Sequence, residues 1–563
     1  MTNRDQRPDC GAVSTLPGLT MDFPLTVQHV MRRMLGLFGN KKIITLVDPE
    51  TGACVERDFR EIVARAGRLA NALQRIGVRP GDRVASLAWN NAEHLEIYLA
   101  VMCMGAVLHT MNLRLHGDQL AYTVNHAGDG VVIVERSLAA QFAEIVSKVT
   151  TVSRIIVIND GDSRCAELPT ADDYESLLSK ESPDFAWPQF DERSAASLCY
   201  TSGTTGDPKG VLYSHRAILL HALSMSGGDA FGLTSRDRVM LLVPLFHAMG
   251  WGLPFVAGLV GSDLVMPGRH VRPAPIARLI EEQKVTWSSG VPTLWLDLLH
   301  HIDQGCEAGR PVDLSSLHTV LCGGTAVPES LIEAYADRFD VALIRGWGMT
   351  ETLPGATVGR DDPRDAETTK VERRRSGGRI SPLYELRVIG AEGAALPHDG
   401  LAVGEIEIRG PIVTGAYYRN PVATADCIDD GWLRTGDVGT IDCTGDLRIT
   451  DRAKDVIKSG GEWISSQDLE GALMAHPAVR EAAVIGIPDA RFGERPLAFI
   501  ILRVPVSEEA LKEFLLGRVA RWWVPEQFRF VDDIVRTSTG KYDKKTLRTL
   551  IDQQGSAADA PVS

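Results

Sequence analysis

The sequence predicts an α/β fold in two parts, a large layered α/β domain followed by a small α+β domain. Three observations predict it. At 563 residues the chain is too long for one hydrophobic core. Helical and strand periods alternate with short turns through most of its length. Beyond Lys454 that alternation gives way to a compact mixed set of about a hundred residues, the size of one small domain.

The elements follow in order. Residues 1–20 are polar and read as a disordered extension. From Glu61 the apolar positions Ile62, Ala66, Leu69, Leu73 and Ile76 make one helical stripe, stopped by Gly77. Pro80-Gly81-Asp82 is a turn and Arg83 to Ala88 a strand. Asn90 or Asn91 caps a helix through Leu95, Leu99 and Met102, and Gly105 to His109 is the next strand. Such helix–strand units, the mark of a largely parallel sheet, recur to about residue 400. The last part reads as a helix from Asp468, strands near Val484 and Phe499, a helix from Glu508 and a strand near Phe528. The expected limits are a large domain over 21–452, a small one over 453–553, and a flexible tail over 554–563.

Composition excludes several classes. Lys and Arg number 59 against 73 Asp and Glu, a net charge of −14 that argues against nucleic acid as a bulk partner. The nine cysteines are odd in number and hold no C-x-x-C, so they read as small core residues of a reducing compartment. The first twenty residues lack the apolar segment of a signal peptide. The longest apolar stretch, Val239 to Pro267, is broken by Pro244, His247 and Pro254, so no membrane span is expected. A cytoplasmic enzyme fits these features; peripheral membrane contact and a homodimer stay open. His94, His109, His116 and His126 lack metal-site spacing.

The richest signal is Tyr200-Thr201-Ser202-Gly203-Thr204-Thr205-Gly206-Asp207-Pro208-Lys209-Gly210-Val211. It follows Ser197 to Tyr200, which read as a buried strand end. A loop of glycines and short hydroxyls offers closely spaced N–H groups to phosphate oxygens, with Lys209 adding charge. A flexible linker is the plainer alternative, but it gains nothing from four hydroxyls and a lysine. Walker A fails, because Pro208 precedes the lysine and Gly210 follows it. A dinucleotide fingerprint also fails, since Gly346-Trp347-Gly348 and Gly250-Trp251-Gly252 lack the third glycine.

Four further segments accompany the loop in a fixed order. They are Gly346-Trp347-Gly348-Met349-Thr350-Glu351-Thr352, Arg434-Thr435-Gly436-Asp437, Asp451 to Asp455 with Ile457 to Trp463, and Arg536-Thr537-Ser538-Thr539-Gly540-Lys541. Together they resemble the AMP-forming, or adenylate-forming, acyl-CoA synthetase and ligase superfamily. The resemblance implies the adenylate-forming fold, with a mobile small domain. It implies that a carboxylic acid and ATP give acyl-AMP and pyrophosphate, and that coenzyme A then gives acyl-CoA and AMP. Mg²⁺ is the expected cofactor.

The resemblance also implies roles, residue by residue. Thr201, Ser202, Gly203, Thr204, Thr205, Gly206 and Lys209 would hold the β- and γ-phosphates. Glu351 would bind Mg²⁺, with Thr201 the hydroxyl partner, a hard-oxygen set suited to that ion. Asp437 would accept the ribose hydroxyls beside Arg452. Gly324, Thr325 and Gly346 to Gly348 would leave a slot for adenine, Thr350 beside it and Trp347 stacked on it, where tyrosine is commoner in the family. Lys541 would serve adenylation, Lys454 would be the hinge, and Gly460 and Gly461 would line the path of the CoA thiol. Likeness to long-chain synthetases places Trp463, with Lys458, against the nucleotide. His247 would abut the acid site, although a satisfied core histidine is the residue-level alternative.

Asp22 to Leu25, Ala88 to Asn91, Val107 to Thr110 and Lys458 to Ser465 look most like bacterial medium- and long-chain fatty acyl-CoA ligases. Trp251 falls where long-chain members carry a gating indole, or else it is a packed anchor. The expected pocket wall is the helix His215 to Met225 with His221, Gly290-Val291-Pro292, Gly323 to Ala326, Met349 and Gly355-Ala356. Its small apolar residues discriminate chain length softly. Methylthiopropionate and aryl acids stay open as substrates. A carrier-protein adenylating enzyme lacks its carrier domain here, and a non-catalytic nucleotide binder would have lost Lys209, Glu351, Asp437 and Lys541. Arg373-Arg374-Arg375 reads as a solvated face.

Overall fold

The computed structural model describes residues 16, 18–159, 168, 171–201, 207–325, 327–360, 362, 364–366, 369–370, 373, 376–459, 462–489, 491–536 and 542–558, and not the side chains of 462–463 and 552–558. Local signals place the first units. Asp58 caps the helix Phe59–Arg75, accepting from Glu61 N, and the stripe Ile62, Ala66, Leu69 and Leu73 is buried. Gly77 turns the chain at φ +107°, a conformation side chains disfavour. Of the two candidate caps, Asn91 is used: its side chain accepts from His94 N at the start of Ala92–Cys103. The strands Arg83–Leu87, Val107–Thr110, Val131–Glu135 and Ala195–Thr201 then join in parallel within an eight-stranded sheet.

A second sheet of fourteen strands among the described residues begins the same way. Arg238–Met240, Asp263–Met266, Trp287–Gly290, Thr319–Gly323 and Ala342–Trp347 pair in parallel, with helices between them. The alternation expected to about residue 400 stops at Trp347. From Thr357–Gly359 through Asp446–Arg452 the pairings become antiparallel. Where the connection is short, its length excludes a parallel pair, which needs a crossover of a dozen or more residues, usually a helix. Between Trp432–Ile441 and Asp446–Arg452 lies a short turn ending at Gly445, φ +82°.

The chain leaves this sheet at Arg452 and enters a third, five-stranded one at Ile457–Ser459. Successive residues of Val479–Asp489 feed its two faces. Ala482 and Val484 pack with Leu469, Leu473, Leu511 and Leu515, whereas Ala483 and Ile485 pack with Ile534 and Leu547. The helices are Ser466–Met474, capped by Ser465, Glu508–Leu516, capped by Ser507, and Lys544–Ala558. This last helix continues past the expected limit of 553, so the tail is helical to Ala558. The protein is thus a large α/β domain with mixed sheets and a smaller α+β domain. No helix among the described residues is long and apolar enough to cross a membrane.

A buried polar cluster joins the two parts. Asp451 of the large sheet is fully buried. Its Oδ2 accepts from Ser466 N at 2.6 Å and Ser466 Oγ at 2.5 Å. Lys544 Nζ donates to Ser466 Oγ at 2.5 Å and pairs with Glu470 Oε1 at 2.6 Å. Burial pushes the Asp451 and Glu470 carboxyls up, while these two acids hold Lys544 above the usual lysine range.

Candidate active site

Past the carboxyl ends of Arg83–Leu87 and Arg238–Met240, Asn90 Nδ2 donates to Leu241 O at 2.9 Å and Val243 O at 2.8 Å, joining the two larger sheets at the end where open α/β sheets bind ligands. The buried strand Ala195–Thr201 runs to the glycine-rich loop, and Lys209–Ser214 carries the chain away. Thr201 and Lys209 are cross-strand partners that close the loop's base. Ser202, Gly203, Thr204, Thr205 and Gly206 lie outside the described residues. Lys209 Nζ stands 4.9 Å from the centroid of the Tyr417 ring and 4.0 Å from Cys427 Sγ.

In the adjacent sheet, Gly323 and Gly346 are register partners at the ends of Thr319–Gly323 and Ala342–Trp347. A Cβ on Gly323 would come within 2.6 Å of Gly346 O, so a side chain there would force the strands apart. Gly324 follows at φ +85°, exposed together with Thr325. Past Gly348, Met349 N donates to Thr352 Oγ1 at 3.0 Å and starts the 3₁₀ turn Thr350–Thr352. The main chain of that turn is held by Tyr213 Oη on Thr350 O at 2.5 Å and by Thr414 N on Glu351 O at 2.8 Å.

Glu351 itself is 6% exposed. Its Oε1 accepts from Tyr417 Oη at 2.6 Å, and among the described residues no cation pairs with this carboxylate. Burial, then the neighbouring Glu351 charge, keeps the Tyr417 hydroxyl protonated. A buried acid with lone pairs to spare and no cationic partner fits a hard divalent ion such as Mg²⁺.

Beside this turn, the Asp437 carboxylate is gripped from two sides. Trp347 Nε1 donates to Oδ2 at 2.8 Å, and Arg452 Nε pairs with Oδ1 at 2.8 Å. Arg452 reaches it because the two residues are register partners on antiparallel strands. Each carboxylate oxygen has two lone pairs, so each retains one for a further hydroxyl donor.

The expected acid-site residues gather in two groups. Around Trp251, 8% exposed, a Cβ added on Gly323 would lie 3.5 Å from Cη2 and one on Gly324 3.9 Å from Cζ2. Val291 Cγ1 would stand 3.6 Å from that Gly324 position. In the second group His221 Nε2 bonds Pro354 O at 2.8 Å, and Met225 Sδ would lie 2.7 Å from a Cβ on Gly355. Burial pushes the His221 imidazole down to about 4, so it is neutral at pH 7. Ala326 lies outside the described residues.

Trp251 stands on an unusual turn. Ala248, Met249, Gly250, Trp251 and Gly252 have φ of 38°, 46°, 58°, 54° and 71°, one left-handed turn of five residues. For the three residues with side chains this conformation costs roughly 1–2 kcal/mol each. His247 precedes the turn half-buried, and its carbonyl accepts from Gly250 N at 3.0 Å.

In the small domain Lys458 is exposed on Ile457–Ser459, opposite Trp463 in register, and Lys454 is exposed between the sheets. Gly460, Gly461, the Trp463 side chain and Lys541 lie outside the described residues. Arg373 pairs with Asp365 at 2.5 Å, whereas Arg374 and Arg375 lie outside them too.

Sequence reasoning missed Tyr417, Tyr213 and the Asp451–Ser466–Lys544 cluster. Gly415-Ala416-Tyr417-Tyr418 carries no periodic or motif signal, since both tyrosines read alike until the fold turns one toward Glu351.

Comparison with known proteins agrees with this geometry. The pattern described as "AMP-binding enzyme" matches residues 42–418, and "AMP-binding enzyme C-terminal domain" matches residues 468–541. A long-chain-fatty-acid–CoA ligase of Thermus thermophilus is 40% identical over 95% of this chain and 97% of its own. A 3-methylmercaptopropionyl-CoA ligase of Ruegeria lacuscaerulensis is 38% identical over 94% and 98%. The crystal structure of the anthranilate CoA ligase AuaEII with anthranoyl-AMP superposes with a TM-score of 0.84 at 28% identity, covering 95% of this chain and 99% of that one.

Proposed function

From the premise that this chain belongs to the AMP-binding enzyme family, we propose that its acid–CoA ligase activity is directed at medium- and long-chain fatty acids. The reaction is ATP-dependent: the acid and ATP give acyl-AMP and pyrophosphate, and CoA then displaces AMP to give acyl-CoA. What supports the substrate reading is the make-up of the expected wall, Trp251, Val291, Gly323, Gly324, Met225 and Gly355, none of which brings a carboxylate or amide to a polar chain. The full-length likeness to the Thermus ligase supports it. We place the activity in the cytoplasm.

The chemistry asks the protein to bring two anions together. A carboxylate attacks the α-phosphorus, and donors around both must offset their repulsion. In our reading Lys209 and the 201–206 loop hold the β- and γ-phosphates, and Asp437 orients the ribose while Arg452 and Trp347 keep it in place. Mg²⁺, when bound, neutralises charge on the triphosphate, and Glu351 with Thr201 would hold it. Lys541 would bridge substrate carboxylate and α-phosphate. Turning about Lys454 would then remove it and bring Gly460 and Gly461 to the thiol path.

The test is CoA-dependent pyrophosphate release with saturated acids of increasing length, methylthiopropionate and aryl acids. Burial at about 0.8 kcal/mol per methylene predicts kcat/KM rising about fourfold per carbon until the wall is filled. A second reading, a methylthiopropionate ligase, is favoured by the Ruegeria relative. Methylthiopropionate turning over about tenfold faster than any straight-chain acid would establish it instead.

A further inference from the structure

We propose that Tyr417 is a positioning residue that aims the Glu351 carboxylate and braces the Lys209 ammonium, setting both before the nucleotide arrives. The inference rests on reading Glu351 as the Mg²⁺ ligand and Lys209 as the phosphate lysine. One ring touches both: its hydroxyl donates to Glu351 Oε1 at 2.6 Å, and its face lies 4.9 Å from Lys209 Nζ. Glu351 follows a strand of the fourteen-stranded sheet, while Lys209 opens a strand of the eight-stranded one. Tyr417 therefore ties together two sheets' contributions to one triphosphate site.

The bond is not needed to hold the turn. Tyr213 and Thr414 N already take its two carbonyls, at Thr350 and Glu351. What Tyr417 adds is the direction of the carboxylate itself. A glutamate side chain has rotamer freedom to lose on being fixed. Fixing it beforehand lowers the cost of binding a cation and its nucleotide. The backbone that carries the ring is held from both sides. Tyr417 pairs with Val211, and Tyr417 N donates to Thr424 Oγ1 at 3.0 Å. Thr424 lies on Pro421–Cys427, a helix capped by Asn420. The face of an aromatic ring attracts a cation, so Lys209 keeps its ammonium near the loop when no phosphate is there.

The test uses the full chain and α,β-methylene-ATP, with no acid present, titrated by calorimetry at several free Mg²⁺ concentrations. Tyr417→Phe should raise the Mg²⁺ needed for half-maximal analogue binding about fivefold, the worth of one lost hydrogen bond. Affinity for AMP, which lacks the outer phosphates, and the unfolding midpoint should stay at wild-type values. Tyr417→Leu should in addition weaken analogue binding in EDTA, where Lys209 and the 201–206 loop hold the phosphates without metal. Glu351→Gln serves as reference. If it raises the Mg²⁺ requirement and Tyr417→Phe does not, the inference is overturned while the metal reading stands. AMP affinity falling in step with analogue affinity in Tyr417→Phe would also overturn it, as general damage. If Glu351→Gln leaves the requirement unmoved, the metal reading and this inference fall together.

Discussion

Trp347 and Asp437 lie 90 residues apart in sequence, yet the indole Nε1 donates to the carboxylate Oδ2 at 2.8 Å. The residue expected to stack on adenine thus also orients the residue expected to hold the ribose. A phenylalanine would keep the ring and lose that link.

Trp347→Phe should therefore weaken AMP binding about fivefold, the loss of one hydrogen bond of roughly 1 kcal/mol. Asp437→Asn should cost more, roughly 10- to 100-fold, because bonds to a charged group are worth about 1.5–3 kcal/mol and Arg452 loses its counter-ion. Calorimetry with AMP measures both. Unchanged affinity in Trp347→Phe would mean that the indole bond only fixes the apo site.

Lys541 is expected to belong to the first half-reaction alone, since attack by a thiolate on acyl-AMP needs no cation bridging two anions. Lys541→Ala should abolish acyl-AMP formation and leave CoA transfer from supplied acyl-AMP within about tenfold, or about 1.4 kcal/mol of barrier. Separate assays of the two half-reactions decide it; equal losses in both would end this division.

Trp251 is expected to swing and open the acid path when nucleotide binds. Its left-handed turn is strained, which favours an element with two arrangements. The wild type should then bind fatty acid more tightly with α,β-methylene-ATP present than without it. Trp251→Ala should bind it about equally in both states while keeping its ATP affinity. Calorimetry measures all four affinities. A wild type indifferent to nucleotide would make Trp251 a packed anchor, with no gate.

Three buried histidines weaken the fold in acid, against the opposite pull of the buried Glu96, Asp451 and Glu470 carboxyls that burial pushes up. Burial pushes His94 and His221 down to about 4 and His215 down to about 3. Below about pH 6.5 the unfolded chain takes up these protons and the folded chain does not. Each histidine's contribution is full above that pH and falls as pH drops toward 4, by about 1.4 kcal/mol per unit. Urea unfolding between pH 7.5 and about 5 should show His215→Asn gaining on the wild type by about that slope below pH 6.5. A difference that does not change with pH would mean that His215 charges inside the fold.

Much was legible before folding was considered, for a physical reason. Caps and helical stripes are decided by residues a turn or two apart, so the pair Asn90 and Asn91 and the stripe Ile62 to Leu73 announce their helices locally. The strand before the glycine-rich segment was legible too, since Ser197 to Tyr200 read as a buried strand end and lie within Ala195–Thr201.

By itself the sequence determined the helical stripe Ile62 to Leu73 and its stop at Gly77, the change of pattern after Lys454, and which residue types could serve a nucleotide. The tertiary structure alone decided that pairing turns antiparallel after Trp347, that Tyr417 rather than Tyr418 meets Glu351, and that Ser466 and Lys544 close over Asp451. Those outcomes depend on register, and a slip of one residue sends every side chain of a strand to the opposite face. Tyr417 and Glu351 are 66 residues apart, and the choice between two adjacent tyrosines was made by the pairing of Tyr417 with Val211.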